Sequence, residues 1–224
     1  MGHDIFAFVP ARGGSKGLPG KCVRPLNGVP LYLHSVTHAV QAGIGRVVIS
    51  TDIRAMLEAD LPQGVTALPR PAEFARDTTP MIDVLLHHLD THEPADGVMV
   101  LLQPTSPLRQ AEDIAAGLSL FDKGGFDLVM SVREADRGVL KWGLLEGDTF
   151  QPLNSPSFTF SNRQALPPIV RPNGAVYVIN TGWLRRHRQL HGGRIGCFAM
   201  PEARSIDIDT LADFERCAAA LSGP

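Results

Sequence analysis

Four short runs of mainly apolar residues, Ile5–Val9, Arg46–Ser50, Val98–Gln103 and Leu128–Val132, are continuous rather than alternating. A strand buried on both faces produces this pattern, so the runs predict strands of a parallel sheet. Between them lie helical stretches at Pro30–Ala42, closed by Gly43, at Thr79–Thr91, with Asp77 or Thr78 as cap, and at Glu112–Lys123, closed by Gly124. Strand and helix alternate, which predicts a doubly wound α/β sheet with its ligands at the carboxyl ends of the strands. The loops Ala11–Lys21, Ser50–Asp52 and Gln103–Pro107 all fall at such ends and are expected to converge on one crevice.

From about Glu134 to Pro172 neither period dominates, and Gly, Pro, Ser and Asn are scattered among apolar residues. The stretch reads either as an arm that packs on another subunit or as a disordered insertion; Trp142, Phe150, Phe158 and Phe160 are more apolar than disorder usually allows. Order is expected to resume at Gly174–Asn180, and Leu211–Leu221 predicts a closing helix.

Composition narrows the picture. With 224 residues, 44% of them hydrophobic, the chain supports one main domain spanning 1–224, and a second large domain does not fit. A formal charge of -2 argues against broad nucleic-acid binding, so a local basic segment should serve a small polyanion. Three widely spaced cysteines, Cys22, Cys197 and Cys217, suit neither a disulfide framework nor a zinc site and point to a reducing cytoplasm. No membrane-spanning run or targeting signal is read, so a soluble protein without a membrane role is expected.

The basic segment is Val9-Pro10-Ala11-Arg12-Gly13-Gly14-Ser15-Lys16-Gly17-Leu18-Pro19-Gly20-Lys21, directly after the first predicted strand. Glycines let the backbone bring N–H groups against an anion while Arg12, Lys16 and Lys21 supply charge, which makes a polyphosphate cradle. It is not a Walker loop, which needs glycine at Ser15 and Ser or Thr at Cys22, and it has no G-x-G-x-x-G spacing. Near the C-terminus, Ser205-Ile206-Asp207-Ile208-Asp209-Thr210 alternates polar and apolar residues, so Asp207 and Asp209 should face the same way. Alone, such a pair is a solvated edge or a helix cap; beside a phosphate cradle it suits Mg²⁺. Arg171 can clamp a carboxylate, and Asn173 can hydrogen-bond a sugar or base, although an ordinary turn would look the same. Gln103, at a strand end, is either a core amide or a crevice amide. The helical pairs His34/His38 and His88/His92 lack a metalloprotease glutamate, and no nucleophile with a base is evident.

The cradle, Ser50-Thr51-Asp52, Arg70-Pro71-Ala72-Glu73, Leu102-Gln103-Pro104-Thr105-Ser106-Pro107-Leu108-Arg109, Arg171-Pro172-Asn173-Gly174 and Ser205–Thr210 together resemble, in order and spacing, the acylneuraminate cytidylyltransferases, including those for legionaminic and pseudaminic acids. The resemblance implies a three-layer, mostly parallel sheet of the nucleotide-diphospho-sugar transferase type with a protruding dimerisation arm at 134–172. It implies transfer of CMP from CTP to the anomeric hydroxyl of a nine-carbon 2-keto sugar acid, with release of pyrophosphate, dependence on Mg²⁺ and a homodimer. Ala11, Arg12, Gly13, Ser15, Lys16, Lys21, Ser50 and Arg70 would serve the nucleotide, with Lys21, Arg12, Lys16 and Asp209 at the chemistry. Gln103, Arg171, Asn173 and Tyr177 would line the sugar acid, with Lys141 and Arg163 reaching it across the dimer, and Asp207 and Asp209 would hold magnesium. Cys22 departs from the asparagine usual in the family, which touches cytosine recognition. A sugar-1-phosphate nucleotidyltransferase for another base, or a binding module without turnover, shares part of this inventory.

Overall fold

The computed structural model describes residues 4–93 and 95–223. Its elements, in chain order, are β1 (Ile5–Ala11), β2 (Pro25–Leu26), β3 (Val29–Pro30), α1 (Leu31–Gln41), β4 (Val47–Thr51), α2 (Arg54–Leu57), β5 (Val65–Pro69), α3 (Met81–His92) and β6 (Val98–Leu101). They continue with α4 (Ala111–Gly124), β7 (Leu128–Glu134), β8 (Gly143–Glu146), β9 (Thr149–Pro152), α5 (Pro156–Thr159), β10 (Val170–Asn180), α6 (Thr181–His187), β11 (Ile195–Ala199) and α7 (Leu211–Ser222). Seven strands form one sheet in the order β11-β7-β10-β6-β1-β4-β5. All neighbours pair in parallel except β10, which runs antiparallel to both β6 and β7.

The continuous apolar runs are explained by burial on both faces. In β1, Ala7 and Val9 pack with Val36 and Ala39 of α1 and with Ile114 of α4, while Phe6 and Phe8 face Leu85 and Leu89 of α3 and Leu184 of α6. Helices on both sides of the sheet give the expected three layers. A smaller cluster joins Leu18 of the basic loop, Leu26, Leu31, Ile208 and Phe214 of α7. That cluster fixes the cradle and the aspartate segment against each other.

Several boundaries differ from expectation. Helix α3 begins at Met81 behind Pro80, and Asp77 does not cap it; the carboxylate instead meets Arg12. Helix α4 starts from a reciprocal capping pair, Gln110 with Asp113, and ends at Gly125 rather than Gly124. Ser205–Thr210 forms no regular strand, yet Ile208 is fully buried and its N–H donates to Thr105 O at 2.8 Å, so the side-chain alternation survives without a ladder. The stretch 134–172 is ordered as a 3-10 turn at Arg137–Lys141, the hairpin β8–β9 and the short α5. Most of its large apolar side chains stay outside the core, Trp142 at 62% exposed and Phe160 at 94%, whereas Leu166 is buried.

At the amino ends of the parallel strands, remote from the basic loop, Arg46 donates twice to Glu93, at 2.8 Å each. His88 Nε2 donates to Glu93 Oε1 at 3.0 Å and its ring lies 4.7 Å from that of Phe8. Burial is the largest influence on His88 and holds its pKa down to about 4. An unfolded histidine titrates near 6.5, so between those values the unfolded chain binds the extra proton and stability is lost as pH falls. Glu93, whose pKa is depressed by Arg46 and His88 against its own desolvation, adds to the loss at the acid end. Unfolding free energy is therefore expected to drop by about 2 kcal/mol from pH 7 to pH 4.5 through His88. Urea titrations of the protein and of His88→Gln check this; equal pH slopes would contradict it.

Candidate active site

The site lies at the carboxyl ends of β1, β4 and β6, where the parallel strands deliver their following loops side by side. The basic loop leaves β1 and turns at Gly13, whose N–H donates to Asp52 Oδ1 after β4 at 2.8 Å. Farther along, the loop runs so close to the C-terminal segment that a Cβ on Gly17 would collide with the backbone carbonyl of Asp209. Only glycine permits that approach. Lys21 then extends along the same segment: Nζ donates to Ile208 O at 2.7 Å and stands 3.4 Å from Asp209 Oδ1.

Arg70, at the end of β5, is buried and donates through Nε to Ser50 Oγ at 3.0 Å and through Nη2 to Ser50 O at 2.7 Å. Desolvation lowers its pKa to about 10, which leaves it charged. Arg12 Nη1 meets Asp77 Oδ1 at 2.5 Å, and Lys16, largely exposed, stands 3.6 Å from Asp77 Oδ2. Those two cations hold the carboxyl of Asp77 below its ordinary pKa, with the Arg12 hydrogen bond the larger influence.

Two concavities meet here. One, of about 450 Å³, is lined by Arg12, Ser15, Lys16, Lys21, Cys22 and Arg70 among others. The second, of about 730 Å³, is walled by Arg133, Arg171, Asn173, Tyr177, Glu202 and Arg216 among others. Gln103, Asp207 and Asp209 line both and form their common border. Asp207 is open to water on the crevice side, yet the surrounding protein desolvates it enough to raise its pKa, and the charge of Asp209 adds to the rise while Thr105 and Lys21 oppose it. Tyr177 is likewise pushed up, first by burial and then by Asp207.

The wall of the larger cavity is built by an irregularity between β7 and β10. Pro172 pairs with Val132, but the next register pair is Tyr177 with Met130, so β10 carries extra residues at 173–176. Ser131 Oγ fills the gap by accepting from Val176 N at 2.9 Å and donating to Asn173 Oδ1 at 2.6 Å. Asn173 Nδ2 donates to Ser205 Oγ at 2.9 Å. The amide of Asn173 is thus engaged within the protein; it shapes the wall, which corrects its expected part as a free hydrogen-bonding group. Beneath the border, fully buried Arg109 donates to Gln103 O at 3.0 Å, to Ala175 O at 2.7 Å and to Ser35 Oγ.

Of the residues expected from sequence, Arg12, Ser15, Lys16, Lys21, Arg70, Gln103, Arg171, Asn173, Tyr177, Asp207 and Asp209 line these cavities. Ala11 ends β1 as a buried residue, and Ser50 acts through Arg70. Lys141 and Arg163 lie on the arm and do not line either cavity; Arg163 pairs with Asp136 at 3.1 Å. Sequence reasoning gave no part in the site to Asp77, read as a helix cap, or to Arg109, Arg133, Glu202 and Arg216. Arg133 was within reach, since it follows directly on the predicted strand Leu128–Val132, at its carboxyl end. Cys22 sits buried in the smaller cavity with its thiol pKa pushed up by desolvation, which makes it a poor nucleophile. Among the described residues no group of three or more His, Cys, Asp or Glu side chains forms a metal cage, and no helix is long and apolar enough to cross a membrane.

A cationic glycine loop at the carboxyl edge of a doubly wound sheet, joined to a second polar cavity, defines a nucleotide-handling α/β domain. The sequence profile of the family described as Cytidylyltransferase matches residues 6–139, more than half of the chain, and the protein belongs to that family. It is 30% identical over 210 residues to an N-acylneuraminate cytidylyltransferase of Streptococcus agalactiae serotype V, covering 92% of this chain and 51% of that protein. It is 29% identical over 223 residues to the CMP-N,N'-diacetyllegionaminic acid synthase of Legionella pneumophila, covering 94% and 93%. The chain thus spans about half the length of the streptococcal relative and nearly all of the Legionella one. The fold matches that of a CMP:2-keto-3-deoxy-manno-octonic acid synthetase complexed with CTP, with a TM-score of 0.72 at 20% identity over 97% of this chain and 98% of the other.

Proposed function

We propose that the protein transfers CMP from CTP to the anomeric hydroxyl of a nine-carbon 2-keto sugar acid and releases pyrophosphate. The observation that carries this reading is the border of Gln103, Asp207 and Asp209 between a cavity with a cationic phosphate loop and a cavity with arginines on its far wall. A nucleotide in the first and an acid in the second meet at the aspartates.

In this reading the backbone of the 11–21 loop, Arg12, Lys16 and Lys21 grip the triphosphate, and Arg70 with Ser50 bounds the nucleoside side. Attack on the α-phosphorus needs in-line positioning and neutralisation of growing charge more than a protein nucleophile. Lys21, held by Ile208 O at the border, is fixed before reaction and pairs with charge that grows during it. Asp207 and Asp209 fit a Mg²⁺ ion of the kind held by one or two carboxylates, water and substrate phosphates; desolvation is the main cause of the raised pKa of Asp207, and the charge of Asp209 adds a smaller part that a cation would relieve. When bound, Mg²⁺ would neutralise phosphate charge and acidify the attacking hydroxyl. Tyr177 and Gln103 orient the sugar acid and Arg171 takes its carboxylate.

Pyrophosphate release, measured with each NTP and a panel of keto sugar acids, tests the reading. CTP and one nonulosonate should support turnover, and EDTA should abolish it; equal rates with UTP, or turnover undiminished by EDTA, would refute it. The same reading places the protein in the cytoplasm, consistent with three free cysteines. It also makes the protein a homodimer whose arm brings Lys141 and Arg163 to the partner's acid cavity. The support is that Trp142, Leu144, Leu145, Phe150 and Phe160, all large and apolar, are exposed on the arm. Light scattering at micromolar concentration should give twice the chain mass of 24.2 kDa, and a monomer would contradict the dimer.

A further inference from the structure

We propose that Arg133 and Arg171 act together as a paired guanidinium clamp for the carboxylate of the acid substrate, with Glu202 as the clamp's internal counter-ion. This rests on the cytidylyltransferase reading and adds to it a binding residue and a competing one.

The argument begins in the sheet. Arg171 of β10 and Arg133 of β7 are register partners in an antiparallel pair, so their side chains leave the same face and both line the larger cavity. Opposed residues in such a pair have Cβ atoms about 5 Å apart, and like charges there destabilise the sheet. Compensation within the protein is slight. Among the described residues Arg171 has no carboxylate at ion-pair distance, and Arg133 has only Glu202, at 3.4 Å, whose side chain is 90% exposed. An exposed pair at that distance offsets little. Arg216, on the same cavity, is already taken up by Asp213 at 2.6 Å. Two adjacent, nearly unneutralised forks inside a concavity form a site for an anion with several lone pairs in one plane, which describes a carboxylate.

The border that this cavity shares with the smaller one is acidic, carrying Asp207 and Asp209. An acid therefore enters with its carboxylate toward the arginines. In a 2-keto sugar acid the carboxylate and the anomeric hydroxyl are borne on the same carbon, so holding the first also aims the second at the smaller cavity. Loss of the clamp should then affect both KM for the acid and kcat, while CTP binding in the other cavity is spared.

The test uses the intact protein with Arg133→Ala, Arg133→Lys and Glu202→Gln, read by calorimetric titration with N-acetylneuraminate and its methyl ester, and by melting without ligand. Arg133→Ala should weaken binding of the acid roughly ten- to a hundredfold, in the range of one lost charge-assisted hydrogen-bond partner, and leave the neutral ester unaffected. Arg133→Lys should restore binding only in part, because a point charge lacks the fork. Glu202→Gln should tighten binding by about two- to fivefold, the range of an exposed ion pair removed. The unliganded Arg133→Ala protein should melt no lower than the parent, since a repulsion has gone; a merely structural arginine would lower the melting point. Unchanged acid affinity in Arg133→Ala, an equal effect on the ester, or weaker binding in Glu202→Gln would each overturn the clamp. If the parent protein turns over no keto sugar acid, the functional reading fails, and titration with pyruvate then judges the clamp alone: binding lost in Arg133→Ala supports it, and no binding by the parent overturns it.

Discussion

Lys21→Ala is expected to lower kcat by roughly 10²- to 10³-fold while leaving the affinity for CTP within a few-fold, the pattern of losing one preorganised charge donor at a developing negative charge. Two roles of Lys21 compete for this outcome, and their magnitudes separate them. Its ammonium ties the cradle to the aspartate segment through Ile208 O and Asp209. Asp209 is 75% exposed, so the ion pair contributes less than about 1 kcal/mol to stability. The same two segments are also joined by packing of Leu18 with Ile208 and Phe214 and by the backbone contact at Gly17. Melting should therefore change little while single-turnover rates collapse. A Lys21→Ala protein with normal turnover would reduce the loop to a ligand-positioning element, and one that no longer folds would make the lysine a structural tie.

The cradle was legible because its chemistry is local: three cations and four glycines in one loop after an apolar run need no tertiary information to be read as an anion site. The sheet was legible for a related reason, since strands covered on both faces must be apolar at every position. What escaped depended on pairing across the chain. The antiparallel course of β10 and its extra residues at 173–176 arise from register with β7, and the buried contacts of Asn173 follow from that register. Asp77 precedes a helix, and a local reading makes it a cap, but 65 residues away in sequence Arg12 offers a charged partner that a backbone N–H cannot match. Of the arm's apolar residues, Trp142, Phe150 and Phe160 stay exposed on their own chain while Leu166 is buried, a division the sequence pattern alone did not show.

Arg109 shows how a residue with no part in substrate contact can govern the border and the acid half of the site, and Arg109→Met should lower unfolding free energy by about 3 kcal/mol. The substitution removes the donor to Gln103 O, Ala175 O and Ser35 Oγ, all inside the protein. Each acceptor left without a partner loses about 1–3 kcal/mol. Against that stands relief of burying a guanidinium, whose desolvation is severe enough to lower its pKa to about 9. Ala175 O and Ser35 Oγ lose their donor while Gln103 O keeps the N–H of Ser106 at 3.2 Å, and two orphaned acceptors outweigh one relieved charge, because water cannot reach a fully buried position to replace the hydrogen bonds. Asp113, which favours the charged form of Arg109, keeps Arg204 at 2.8 Å and so is not abandoned by the substitution. The functional consequence should exceed the structural one locally: Gln103 lies on the border of the cavities and Ala175 in the irregular wall, so both lose the brace that sets their spacing. Below its melting point the variant should show a raised KM for the sugar acid with CTP affinity nearly intact, and urea unfolding should move to a lower midpoint with an unchanged slope. A midpoint equal to that of the parent protein would mean that the acceptors find other donors, and the brace between Gln103 and Ala175 would have to be sought elsewhere.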